Sequence, residues 1–254
     1  MIDAIKSEFK KVFTVRSTYV IFALVILLTA FFGFYIGGWH TNGVDLIDRV
    51  RYYRIAQQSI SHLAIFPALI ALLLYTHEIR YNTFAYSLTL NNSRSKVLAA
   101  KIIVITVLSL VITAMVGSAS PLLAEWGIKV HHLNLVPQTF YYKRLIWSGL
   151  VYGWGYGMVG LVLGALVRNQ IGAIITLFVV PSTVEGLLSI WLKNNVVYLP
   201  FSALNTMLGA SDASSQAIGA GPIISPIHAM YVFLGYLILA WVIAWYLFLT
   251  KDAT

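Results

Sequence analysis

Long uncharged apolar runs alternate with short polar connections along the whole chain. Six runs of similar length follow one another, at residues 18–39, 55–76, 102–123, 145–167, 171–192 and 229–250. A helix needs about 20 apolar residues to cross about 30 Å of hydrocarbon, and each run is close to that length. Within each run the apolar residues are continuous instead of alternating, which favours helices over barrel strands. The pattern predicts an all-α membrane protein, a single domain of residues 1–254 with six transmembrane helices.

The positive charges indicate how these spans are oriented. Six spans place both termini on one side of the membrane. If that side is the cytoplasm, the inner segments hold ten of the 17 Lys and Arg residues, although these segments are shorter in total than the outer ones. A higher density of Lys and Arg marks the cytoplasmic side. We therefore predict a multi-pass protein of the cytoplasmic membrane with both termini inside.

Residues 1–17, ahead of the first span, carry a helical pattern of their own. Ile5, Phe9 and Phe13 recur at helical spacing, while Lys6 and Lys10 fall mostly on the other side. This pattern is typical of an amphipathic helix that lies in the inner membrane interface. A disordered basic tail is the alternative interpretation.

Composition supports a membrane protein and narrows the partners. The chain is 59% hydrophobic and 10% charged, whereas soluble domains carry about 25% charged residues. Its net charge of +8 is spread over the loops and forms no single stripe, so we expect contact with the lipid bilayer and its anionic headgroups, not with nucleic acid. Cysteine is absent, which excludes disulfides and thiol catalysis.

Two of the connections are long enough to hold structure. Residues 77–101, HEIRYNTFAYSLTLNNSRSKVLAAK, are polar and free of Gly and Pro, and Tyr81, Phe84 and Leu88 form one apolar stripe at helical spacing. So short a helix is marginal in water and needs a surface to rest on. The longest outer loop is residues 193–228, and its apolar first half is expected to fold back onto the outer membrane face.

The 77–101 connection resembles the cytoplasmic loop of type 2 ATP-binding-cassette (ABC) permeases. In that family an acidic residue, a Gly-Thr pair, a Ser/Thr-Leu pair, a Ser-Arg pair and a Lys occur at similar spacing. The matching residues are Glu78, Asn82-Thr83, Ser87-Leu88, Ser93-Arg94 and Lys101, with Asn82 where Gly is usual. The opening SEFKKVFTVRSTY and the closing FLTKDA are similar to the two ends of such permeases as well.

The resemblance implies that a coupling helix in this loop docks on a separate P-loop ATPase subunit. It further implies an exporter built from two permease subunits, identical or paralogous, and two ATPase subunits. No G-x-x-x-x-G-K-[ST] motif occurs in the chain, so ATP and Mg²⁺ are expected in the partner. We expect neither catalytic residues nor a cofactor in this chain. The residues predicted to form the docking surface are Glu78, Arg80, Tyr81, Asn82, Thr83, Phe84, Leu88 and Arg94.

Two features inside the spans are candidates for packing or transport. Small residues repeat along one face of the fourth span and predict close packing against another helix, with a role in substrate passage as the alternative; they are Gly153, Gly157, Gly160 and Gly164. Glu185 is the one charge within a predicted span and follows Pro181 by four residues. Because a charge in hydrocarbon is costly, Glu185 either lines an outer route or gate together with Pro181, or pairs with a basic residue such as Lys193.

The histidines do not form a recognisable metal site. His131 and His132 are adjacent in an outer loop, His77-Glu78 lacks the second His of H-E-x-x-H, and His62 has no partner in the pattern. Two other functions are the alternatives. An ATPase-independent secondary transporter or channel would show paired charges or broken inverted repeats within its spans, and a membrane-embedded enzyme would need a polar constellation there.

Overall fold

The computed structural model describes residues 2–39, 46–47, 49–81, 94–130, 134–135, 142–209 and 224–250. Ten α-helices occur in these ranges: α1 Ile2–Thr14, α2 Arg16–Ala30, α3 Arg49–Leu63, α4 Ile65–Arg80, α5 Arg94–Val130, α6 Tyr142–Val167, α7 Gln170–Val179, α8 Glu185–Leu192, α9 Pro200–Leu208 and α10 Pro226–Thr250. The remaining elements are the π-helices Phe31–Trp39 and Val180–Val184, the 3₁₀ helix Lys193–Tyr198, and two parallel two-residue strands, β1 Leu46–Ile47 and β2 Asn134–Leu135.

The all-α fold with six membrane-spanning helices is confirmed. Six helical segments are long and apolar enough to cross a membrane: Arg16–Tyr35, Ala56–Arg80, Ser95–Val130, Leu145–Val167, Gln170–Leu192 and Pro226–Leu247. The second span is built from α3 and α4 and the fifth from α7, the π-helix Val180–Val184 and α8.

Helix α5 begins much earlier than the uncharged run that predicted the third span. It starts at Arg94, eight residues before the predicted residue 102, and continues for 37 residues. At 1.5 Å per residue it is roughly 55 Å long and extends beyond a bilayer core of about 30 Å. The charges of Lys96 and Lys101 interrupt the uncharged run but do not end a helix.

The second span breaks between its two helices for a local reason. Helix α3 ends at Leu63 and α4 begins at Ile65, and Pro67 lies in the first turn of α4. Proline has no N–H to donate, and its ring clashes with the carbonyl of the residue four positions earlier, which here is Leu63. A helix start at this point removes both problems.

Helix α6 is central, and its small residues permit its close approach to α4 and α5. A Cβ atom added at any of the four glycines would meet a neighbouring helix within ordinary contact distance or closer. Spans two to four are accordingly more than half buried, whereas spans one, five and six are at most 28% buried. The facing residues are Thr113 for Gly153 and Ser109 for Gly157 on α5, and Ala68 for Gly160 and Tyr75 for Gly164 on α4.

Residues 185–208 form a hairpin that returns into the bundle. After α8 the chain turns at Lys193, whose φ is 43°, and α9 then inserts between α3, α6 and α10. Phe201 and Leu204 of α9 are buried. The first half of the loop therefore packs against the helices of the bundle; its expected position at the outer membrane face stays a prediction. We call the end of the bundle that holds residues 185–208 the hairpin end. The opposite end, where α1 lies, is called the α1 end.

Several predicted residues lie outside the described ranges. They are Asn82, Thr83, Phe84 and Leu88 of the docking surface and the pair His131-His132.

Candidate functional site

Four charged side chains from three helices meet at the α1 end. Helix α1 contributes Glu8 and Lys11, the last turn of α4 contributes Glu78, and the second turn of α5 contributes Lys101. We call this group the ion cluster.

Each ammonium group in the ion cluster contacts both carboxylates. The Lys101 Nζ donates to Glu8 Oε2 at 2.7 Å and lies 3.0 Å from Glu78 Oε1. The Lys11 Nζ lies 2.5 Å from Glu8 Oε1 and 2.5 Å from Glu78 Oε1. Lys101 also donates to the backbone carbonyl of Leu74 at 3.3 Å. Two positive and two negative charges leave the cluster formally neutral.

Three of the four cluster residues are almost fully enclosed. Lys101 is 0% exposed, Glu8 2% and Glu78 4%. Removing ions from water costs several kcal/mol each, and only close pairing with good hydrogen bonds offsets that cost. The cluster therefore depends on having all of its charges, and loss of one leaves an opposite charge buried without compensation.

Lys11 lies at the edge of the cluster and remains charged. Burial by itself lowers the pKa of the Lys11 ammonium, but the carboxylates of Glu78 and Glu8 outweigh burial and raise that pKa above its usual value. Lys11 therefore carries a positive charge at neutral pH and balances the second carboxylate.

The sequence of α1 places Glu8 on the side of the helix that faces the ion cluster. Ala4, Glu8 and Val12 are four residues apart, share one face of the helix and are all buried. The small Ala4 allows α1 to approach the bundle, where it packs mainly on α5. Phe13 stacks on Phe22 of α2 with ring centroids 6.3 Å apart. Helix α1 therefore contacts the ends of spans one, two and three.

The predicted docking residues divide between the interior and the surface. Glu78 points into the ion cluster, so its carboxylate holds helices together. Arg80 and Tyr81 are exposed; the Arg80 guanidinium lies 5.6 Å from the Tyr81 ring centroid and donates to Gln170 at 3.1 Å. Arg94 is the first residue of α5. Among the predicted docking residues whose side chains the structure describes, Arg80 and Tyr81 are therefore the exposed ones.

The ion cluster ties α1 to both helices that flank residues 82–93. Helix α4 ends at Arg80 and α5 begins at Arg94, and Glu78 and Lys101 belong to these two helices. Separating α1 from either helix would leave buried charges without their partners, which is costly.

A second buried carboxylate lies at the hairpin end. Glu185 accepts hydrogen bonds from the backbone N–H groups of Phe201 and Ser202, both at 2.8 Å, and from the Ser202 hydroxyl at 2.9 Å. The first turn of a helix has free N–H groups and a positive dipole end, and the N-cap Leu199 has no side chain that could accept them. Glu185 therefore caps α9 from a neighbouring helix.

The position of Glu185 follows from the π-helix that contains Pro181. The ring of Pro181 would clash with the Leu177 carbonyl in a regular α-helix. The wider turn Val180–Val184 accommodates the proline, and α8 then begins at Glu185 itself. No contact between Glu185 and Lys193 is found among the described residues, where the partners of the carboxylate are Phe201 and Ser202.

The other end of α9 is held by spans two and four. The Tyr152 hydroxyl donates to Asn205 Oδ1 at 2.7 Å, and Gln57 donates to the Leu208 carbonyl at 2.7 Å. Gly209 then ends the helix at φ 80°, a conformation that favours glycine. The hairpin is thus fixed at both ends of α9.

Loss of the Glu185 cap is expected to destabilise the fold. Glu185→Ala leaves buried N–H donors without an acceptor, which costs about 1–3 kcal/mol, and Glu185→Gln, which keeps one acceptor oxygen, has a smaller effect. Thermal unfolding of the purified protein, followed by Trp fluorescence, measures this. Glu125→Ala, which removes a partly exposed ion pair with Lys129, is the control and should change little. Equal losses for Glu185→Ala and Glu125→Ala would contradict the capping role.

Comparison with known proteins identifies the family. The sequence model of the ABC-2 family transporter proteins matches residues 4–197, which is most of the chain. The chain belongs to the ABC-2 transporter family. A search of curated proteins found no match to it.

The ion cluster and Glu185 of this ABC-2 family protein lie inside the matched region, which runs from the first turn of α1 to the 3₁₀ helix before α9. Phe201 and Ser202, which donate to Glu185, lie just beyond it. ABC-2 proteins are membrane components of ABC transporters and normally work with an ATPase subunit. Among the described residues, no three or more His, Asp or Glu side chains gather as a metal site would require.

Sequence reasoning about the ABC-2 protein missed Glu8 and Lys11 as members of the ion cluster. One signal was present: Glu8 is an acid on the same helical face as Ala4 and Val12, away from the exposed Lys6 and Lys10. Its partner Lys101 is 93 residues away, and a single sequence does not connect them.

Proposed function

We propose that this protein is the membrane subunit of an ABC exporter and moves its substrate across the cytoplasmic membrane when a separate P-loop ATPase subunit hydrolyses ATP. ATP and Mg²⁺ bind in that partner. In the assembly two copies of the ATPase serve two membrane subunits, the second being identical to this chain or a paralogue.

The ion cluster is the observation that carries this proposal. It fastens α1, α4 and α5 together beside residues 82–93, where the sequence predicts the helix that docks on the ATPase. Closure of the ATPase would displace that connection, and the cluster would transmit the displacement to α1 and to spans two and three. Such a displacement shifts the balance between two states of the spans, because the contacts with the ATPase differ between them.

This function requires the α1 end to face the cytoplasm. The charge distribution supports that orientation: Lys6, Lys10, Arg16, Arg80 and Lys96 are all exposed at the α1 end, as expected for the cytoplasmic side. Both termini then lie inside the cell.

At the hairpin end, Glu185 and Pro181 are proposed to position a gate. The hydrogen bonds of Glu185 fix α9 to α8, so these two helices would move together. They would bend against α7 at the π-helix that contains Pro181, because π-helical turns recur at functional sites. In the complex, Glu185→Gln would reduce export more than ATP hydrolysis. Unchanged export would remove Glu185 from the gate.

Docking is tested by co-purification with a P-loop ATPase subunit, sought first in the reading frames that neighbour the gene for this chain. Phe84→Asp and Leu88→Asp place a charge on the predicted apolar stripe and are expected to abolish recovery of the ATPase, because burying an unpaired charge is costly. The permease itself should still be recovered at its usual yield.

Tyr86→Asp is the matched control for these two variants. It adds the same charge to the same connection, on the side opposite the stripe at helical spacing, and should leave co-purification intact. Retained ATPase in the Phe84→Asp and Leu88→Asp variants would contradict docking at this stripe, and absence of any ATPase partner would favour a secondary transporter or channel.

A further inference from the structure

Helix α1 presents three different surfaces around its circumference. Successive residues are about 100° apart, so the buried Ala4, Glu8 and Val12 occupy one side. Lys6 and Lys10 are exposed on the opposite side. An apolar strip fills the arc between these two sides on one flank of the helix, and it consists of Ile2, Ile5, Phe9 and Phe13.

The apolar strip continues onto the exposed surface of span one. Ile2 is 69% and Phe13 45% exposed, and Phe13 stacks on Phe22 of α2. Tyr19, which is also exposed, donates its hydroxyl to the Phe13 carbonyl at 2.6 Å. Span one is apolar and long enough to cross a membrane, so a strip beside its first turn is expected at the boundary between acyl chains and headgroups.

The charge left at this boundary is positive. Glu8, Glu78, Lys11 and Lys101 balance one another inside the ion cluster. The remaining charged residues in 2–16 are Asp3, Lys6, Lys10 and Arg16, all exposed, with a formal sum of +2. Basic residues beside an apolar strip at the membrane surface attract anionic lipid headgroups.

We propose that α1 is a binding surface for anionic phospholipids of the inner leaflet, with Lys6, Lys10 and Arg16 contacting the phosphate groups while Ile2 and Phe13 rest against the acyl chains. The continuity of the strip with span one favours lipid over a protein partner as the occupant. Because the other side of α1 enters the ion cluster, bound lipid also stabilises the junction of α1 with spans two and three. This surface is separate from the predicted ATPase docking stripe.

The test uses the purified full chain in a neutral detergent, without any ATPase, so its outcome does not depend on the proposed transport function. Phosphatidylglycerol or phosphatidylcholine with the same acyl chains is added, and the melting temperature is followed by Trp fluorescence. Phosphatidylglycerol is expected to raise the melting temperature of the wild type by several degrees more than phosphatidylcholine does. At about 1 M salt, where the Debye length is near 3 Å, this difference should largely disappear.

Three double variants distinguish lipid binding at α1 from a general effect of the positive charge of the protein. K6Q/K10Q should lose at least half of the difference between the two lipids while melting normally without lipid. K129Q/K193Q removes the same two charges from exposed positions at the hairpin end and should keep the full difference. K6R/K10R retains the charges and should behave as the wild type.

Three results would overturn the inference. The two lipids could act equally on the wild type, K6Q/K10Q could keep the full preference for phosphatidylglycerol, or K129Q/K193Q could lose the preference to the same extent. If K6Q/K10Q keeps the lipid preference but no longer co-purifies with the ATPase, this side of α1 belongs to a protein contact.

Discussion

Lys101→Met is expected to lower the melting temperature of the purified protein by roughly 10 °C. The substitution leaves Glu8 and Glu78 buried with Lys11 as their one described cluster cation, and removal of one member of a buried ion pair costs about 3–5 kcal/mol. For a chain of this size each kcal/mol corresponds to about 2–4 °C. Methionine fills much of the lysine volume, so lost packing contributes little. Thermal unfolding followed by Trp fluorescence measures the shift.

Lys96→Met is the matched control, since Lys96 lies on the same helix but is exposed. It should change the melting temperature by no more than a degree or two. The double variant Glu8→Gln/Lys101→Met removes one charge of each sign and should recover part of the lost stability. A Lys101→Met protein as stable as the Lys96→Met protein would show that the cluster does not hold these helices together.

Gly160→Ala is expected to push α4 and α6 apart. A Cβ at this position would overlap the Ala68 carbonyl oxygen and lie 2.6 Å from the Ala68 Cα. These are backbone atoms, which cannot rotate away as a flexible side chain would, so the two central helices must separate. Overpacking of this kind typically costs about 1–3 kcal/mol. The melting temperature and the yield of folded protein measure the effect.

Gly235→Ala provides the control in span six. A Cβ at Gly235 meets no described atom within 4 Å, and alanine has a higher helix propensity than glycine by about 1 kcal/mol. Gly235→Ala should therefore leave the melting temperature unchanged or raise it slightly. If both variants melt at the wild-type temperature, α4 and α6 do not meet as closely at Gly160 as the structure has them.

The six-span fold could be predicted because crossing a membrane leaves a strong one-dimensional pattern. Continuous uncharged runs of about 20 residues are required by the bilayer itself. The same criterion places the start of α5 too late, because it assigns every charged residue to a loop. Lys101 is charged and yet fully buried within the helix. Pairing with Glu8 makes that burial possible, and pairing between distant residues is a property of the tertiary structure.

The hairpin could have been predicted in part. Pro200 at the first position of α9 and Gly209 immediately after its end are standard signals for the start and end of a helix. The packing of α9 within the bundle could not be predicted, because it depends on the cap from Glu185 and on Tyr152 and Gln57 from other spans. Glu185 was identified as unusual by its cost in a membrane, but its acceptor role required the fold.

The central claim is that residues 82–93 face the cytoplasm and are held there by an ATPase. The chain contains no cysteine, so Ser87→Cys introduces one labelling site in this connection and Ser225→Cys introduces another at the hairpin end. A membrane-impermeant maleimide is applied to intact cells and to inverted vesicles, with and without the ATPase. The account predicts that Ser87→Cys is labelled only in inverted vesicles and is protected by the ATPase, while Ser225→Cys is labelled only from outside. Labelling of Ser87→Cys on intact cells, or labelling in inverted vesicles that the ATPase does not reduce, would contradict it.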